Sequence, residues 1–123
     1  MVEDWSGICY AIKENDPRKA LRGKNMRYYI DNVKIQNSTM VILGWAVSAS
    51  PDVPVKIEVC DQKGNPVAMN RTDTERYDVN QDAFHGESTL KLGFCILIGY
   101  QPENTYYMVF SADGKRRKEK LEP

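Results

Sequence analysis

"VPVKIEVCDQKGNPVAM", residues 53–69, decides the fold class of this 123-residue chain. Val53, Val55, Ile57 and Val59 alternate with Lys56, Glu58 and Cys60. A period of two sends successive side chains to opposite faces, so this is a half-buried β-strand. "DQKGNP" then supplies turn residues, and Val67 and Met69 resume the alternation, which predicts a second strand with those two side chains inward.

The same period extends in both directions. In "LKLGFCILI", 90–98, Leu90, Leu92, Phe94, Ile96 and Ile98 are predicted inward, with Lys91, Gly93 and Cys95 outward. "DNVKIQN", 31–37, puts Val33 and Ile35 inward, while Ile30 is out of phase and predicts a bulge near Asp31. "TYYMVFS", 105–111, is apolar on both parities, so its inward face stays open. "SADGK" is a hairpin-type turn into a charged last strand or tail. "MVILGWAVSA", 40–49, is the most apolar stretch. Its parity puts Val41, Leu43, Trp45 and Val47 together, with Met40, Ile42, Gly44 and Ala46 opposite. Trp45 is therefore expected on the core face, as the plug of the fold and not as a ligand platform.

About six or seven short strands separated by turns indicate an all-β, immunoglobulin-like antiparallel β-sandwich. An α/β fold is excluded on this reading, since no helical period lies between the strands. Upstream, Trp5, Ile8, Cys9 and Ile12 follow helical spacing, and Asp16, Pro17 and Gly23 suit the start and end of a further short helix. The expected organisation is a helical or linker segment over 1–27, a sandwich over 28–114, and a charged edge strand or linker over 115–123.

Length allows one hydrophobic core. Seventeen basic and seventeen acidic side chains balance to a formal net charge of zero, which provides no global field for nucleic acid or an anionic membrane. Three cysteines, an odd number without C-x-x-C spacing, read as reduced thiols, and no apolar run is long enough for a membrane helix. With acids where a signal peptide would be basic, the expected location is cytoplasmic.

The polar stretch "RTDTERYDVNQDAFHGEST", 71–89, reads as a long loop, and long loops in small domains often carry function. Its candidate ligand-binding residues are Arg76, Tyr77, Asp78 and His85. Arg76 and Asp78, two apart, can also pin the loop by pairing with each other, since guanidinium offers five donors. Asp78, Asn80 and Asp82 have the alternate spacing of a calcium loop, but Ala83 and Thr89 stand where that loop needs Gly and Glu. Glu75 and Asp78 could act as acid and base, and Tyr28, Tyr29, Tyr77, Tyr100, Tyr106 and Tyr107 could stack on sugars. No phosphate loop, metalloprotease motif or nucleophile elbow occurs. The expectation is a chain with no catalytic centre, no metal and no cofactor.

In order, "YYIDNVKI", "GWAVS", "VKIEVCDQKGNPV", "TERYDV", "LGFCILI" and "YYMVFSADGKRRK" resemble the N-terminal β-sandwich module of Firmicutes family 2 glycosyltransferases. Such modules precede the catalytic domain and are often encoded in cell-surface polysaccharide clusters. Gly44, Trp45, Gly64, Pro66, Arg76, Asp78, Val79, Gly93 and Phe94 match the module's pattern, whereas Tyr77 stands where the family often has proline. The resemblance covers roughly 28–120. It implies a non-catalytic accessory domain that positions or oligomerises a C-terminal transferase domain, or holds a glycan near it. It also implies a full-length glycosyltransferase at the inner face of the membrane. The rival reading is a free-standing carbohydrate-binding sandwich that uses surface tyrosines.

Overall fold

A computed structural model describes residues 26–123. The helical expectation for the N-terminal segment, with Cys9, therefore lies outside the described residues. Seven strands and one helix follow in the order β1 (Arg27–Gln36), β2 (Thr39–Val47), β3 (Lys56–Asp61), β4 (Pro66–Arg71), α1 (Tyr77–Phe84), β5 (Gly93–Gly99), β6 (Tyr106–Ala112) and β7 (Lys115–Lys120). They build an antiparallel β-sandwich from a three-stranded sheet, β1-β2-β5, and a four-stranded sheet, β4-β3-β6-β7.

Local chemistry sets the hairpins. Asn37 and Ser38 take φ of 52° and 64° between β1 and β2, and Asp113 and Gly114 take 53° and 74° between β6 and β7. Two residues of positive φ make the turn whose twist matches paired strands. Between β3 and β4 the Asp61 carboxylate accepts from the backbone N–H groups of Lys63 and Asn65, both at 2.9 Å.

The interior between the sheets is filled by Met40, Ile42 and Ala46 of β2, Ile57 and Val59 of β3, Phe94, Ile96 and Ile98 of β5, and Met108 and Phe110 of β6. The alternation read in β3, and in β5 from Phe94 to Ile98, is thus correct, whereas Leu90 and Leu92, read inward with them, pack in a second cluster with Trp45. In β6 it is Tyr106, Met108 and Phe110 that turn inward. The bulge is also present, since the β1–β2 register shifts between Ile30 and Asn32.

Three expectations need correction. The parity of β2 is inverted: Met40, Ile42 and Ala46 face the sandwich interior, while Trp45 and Val47 face away from it into a second cluster. In β4 it is Ala68 that packs on the core, and Val67 and Met69 point outward. Ile35, paired with Met40, keeps the inward face with Val33 but is partly exposed near the end of β1. The stretch 71–89 is not a loop throughout, because α1 occupies 77–84. That helix buries Val79 and Phe84. It closes on His85 in the left-handed conformation, whose N–H bonds the Gln81 carbonyl at 3.1 Å.

Gly44 reconciles the two faces of β2. A Cβ there would collide with the Tyr29 carbonyl and stand 2.6 Å from Phe94 Cζ. The missing side chain admits the Phe94 ring from the paired position on β5.

Candidate functional site

The 72–90 segment lies over one end of the three-stranded sheet, on the face away from the main core. Beneath it Trp45, fully buried, packs with Val47, Val79, Phe84 and Leu92. Trp45 is therefore a plug, but of a second small core between sheet and helix. Asn80 stitches the segment shut: its amide donates to the Ser88 carbonyl at 2.9 Å and its oxygen accepts from the Ser88 N–H at 3.0 Å. Ser88 Oγ in turn donates to the Pro51 carbonyl at 2.7 Å.

Arg76 is the electrostatic centre. Its Nη1 donates to Asp31 Oδ2 at 2.7 Å, and its Nε and Nη2 donate to the two Asp78 oxygens at 3.0 and 3.1 Å. The Arg76 and Asp31 side chains are 6% and 0% exposed, so the guanidinium is spent inside the fold and unavailable to a ligand. Burial disfavours the charged guanidinium, but its hydrogen bonds to Asp78 and the charges of Asp31 and Asp78 outweigh it and hold the pKa above its ordinary value. Gly93 makes the space, because a Cβ there would stand 2.6 Å from Arg76 Cγ and 2.9 Å from the Thr74 carbonyl.

The sequence reading paired Arg76 with Asp78 and missed Asp31. The signal was present in the phase break at Ile30, since the bulge re-aims Asp31 toward Arg76.

The four candidate ligand residues do not converge. Arg76 and Asp78 pair under the helix start, while Tyr77 is 74% exposed and points away from them. His85 sits at the far end of the eight-residue helix, about 12 Å along its axis. There it lines an open groove of about 550 Å³ with Gln81, Asp82, Phe84 and Arg27, whose guanidinium lies 5.9 Å from the Phe84 ring centre. Asp78, Asn80 and Asp82 are helical and do not form a calcium loop. Among the described residues no three of His, Cys, Asp and Glu stand together as metal ligands.

The tyrosines are dispersed as well. Tyr28 stacks on Phe110 at 4.1 Å and its hydroxyl donates to Glu119 at 2.7 Å, beside a groove of about 360 Å³ between β1 and β7. Tyr106 is buried against Tyr100, and Tyr107 lies under the Lys118 ammonium at 4.7 Å. No shared stacking platform results among the described residues.

No described helix is long and apolar enough to cross a membrane. No protein-family model and no curated protein matches the chain. Among solved structures it is similar to a β-glucuronidase of Bifidobacterium dentium in complex with coumarin-3-O-glucuronide. That likeness has 15% identity and a TM-score of 0.45, over 79% of this chain and 17% of the β-glucuronidase. The chain thus spans a small part of that structure's length.

Proposed function

We propose that this β-sandwich is the non-catalytic accessory domain of a bacterial glycosyltransferase, positioning a transferase domain that follows it in the full-length protein. One observation supports this reading above others. Seven of the residues that carry the resemblance, Gly44, Trp45, Arg76, Asp78, Val79, Gly93 and Phe94, interlock in one region of the fold. Arg76 pairs with Asp78 and Asp31 in the space left by Gly93, Trp45 and Val79 pack in the second core, and Gly44 admits Phe94 on the opposite face of the sheet. Residues used this way specify a scaffold, and a scaffold is what an accessory domain requires.

The test begins with the coding sequence past Pro123, which is expected to encode a nucleotide-sugar-binding domain. Deleting 26–123 from that protein is expected to leave donor-sugar hydrolysis intact while polymer formation falls. A transferase domain missing from the frame, or polymer formation unchanged by the deletion, overturns the proposal. Glycan binding by the isolated chain that is lost on Tyr77→Ala would favour the free-standing carbohydrate-binding module instead.

A further inference from the structure

The sandwich has four edge strands, β1 and β5 in one sheet and β4 and β7 in the other. Unpaired strand edges template association, and proteins blunt them with charge, proline or bulges. β7 reads KRRKEK and is exposed throughout. β4 opens on Pro66, ends on Arg71 and faces a register shift in β3. β1 carries the bulge at Asp31 together with Lys34. β5 has none of these: it reads GFCILIG, without charge or proline, and pairs with β2 without a shift.

The free part of β5 has sharp limits. Gly93 turns its N–H and C=O away from β2 and gives both to the 73–74 segment, at 2.6 Å for the N–H and 2.9 and 3.0 Å for the C=O. Cys95, Leu97 and Gly99 share its parity and present their backbone groups on the same side. At the far end the Gly99 carbonyl accepts a long hydrogen bond from the Tyr106 hydroxyl, at 3.5 Å. Between these ends the Cys95 and Leu97 backbone groups have no partner among the described residues. Leu97 is 62% exposed on the outer face of the sheet.

We infer that this edge binds a second copy of the chain, β5 against β5 in antiparallel register, to make one continuous six-stranded sheet. A twofold contact must be self-complementary. The open stretch, Cys95 to Gly99, has Leu97 at its midpoint, so Leu97 faces Leu97 of the partner copy and Cys95 faces Gly99. Charge selects this edge among the four. Self-pairing of β7 in full overlap would set Lys115 on Lys120 and Arg117 on Lys118, with only Arg116 meeting Glu119. β5 itself carries no charge, Asp73 standing beside it only at the Gly93–Cys95 end, and a net charge of zero adds no repulsion between copies. The pairing stands apart from the transferase reading and holds for the chain whatever follows it.

Sedimentation equilibrium of the full chain over a concentration series tests it. The expected species is twice 14.1 kDa. Leu97→Lys and Leu97→Glu, each alone, are expected to sediment as folded monomers, because the side chain is exposed in a single copy. An equimolar mixture of the two is expected to regain the doubled mass, since the opposed positions then carry opposite charges. Val67→Lys, on the outer face of β4, is expected to remain a dimer. A wild-type monomer up to millimolar concentration overturns the inference, as does a Leu97→Lys dimer. A mixture that stays monomeric overturns the register centred on Leu97.

Discussion

Arg76 reaches across 45 residues of sequence to donate to Asp31 at 2.7 Å, and that bond ties the bulge of β1 to the start of α1. Removing the cation takes from the buried Asp31 carboxylate the guanidinium that donates to it at 2.7 Å. Arg76→Met is therefore expected to cost about 3–5 kcal/mol in urea unfolding. Adding Asp31→Leu to that variant is expected to recover part of the loss, because an apolar pair needs no solvation. Equal stability of Arg76→Met and wild type would remove Arg76 from the structural role.

The two strand glycines are expected to refuse a methyl group. Gly93→Ala pushes a Cβ against Arg76 and the Thr74 carbonyl, and Gly44→Ala against the Tyr29 backbone and the Phe94 ring. Each is expected to lower stability by about 1–3 kcal/mol. Gly44→Ala is expected to cost more, since a backbone oxygen cannot swing aside as the arginine stem can. Thermal melts of both variants check the order.

His85 ends α1 with φ of 53°, a conformation that glycine adopts without strain. His85→Gly is expected to raise stability by about 0.5–1 kcal/mol and to leave any glycan binding to the full-length protein unchanged. A fall in stability would show that the imidazole makes a contact worth more than the strain.

Tyr28 gives the fold a sensitivity to alkali. Burial first, then the hydrogen bond and charge of Glu119, hold its phenol above the ordinary value of 10.0. The unfolded chain ionises this tyrosine near pH 10 while the folded chain keeps it neutral. Its contribution is therefore fully present below pH 10 and is lost as pH rises beyond it. Tyr28→Phe is expected to flatten the alkaline loss of stability measured by urea midpoints. An identical loss in the variant would contradict this assignment.

Much of this architecture is legible in the sequence because β3 and β5 alternate cleanly. β2 misleads because it is the middle strand of its sheet and is buried on both faces near Trp45, so an apolar run carries no parity information. Its inward face becomes clear only once α1 is known to cover the other. α1 itself escapes because it has eight residues and buries only Val79 and Phe84, too few to display a helical period. Val67 and Met69 misled because β4 is an edge strand with a register shift opposite it, and edges tolerate apolar side chains facing out. The candidate site was legible as the Arg76–Asp78 pair. Asp31 was not, because a bulge announces a change of direction without naming what the side chain meets.

The central claim is that Trp45 plugs a second core beneath α1 and offers no surface to a ligand. It is tested most directly by acrylamide quenching of Trp45 fluorescence in a Trp5→Phe background. Blue-shifted emission with almost no quenching is expected, turning red-shifted and quenchable when Phe84→Ala thins the cover. Red-shifted, freely quenched emission from the parent protein would contradict it.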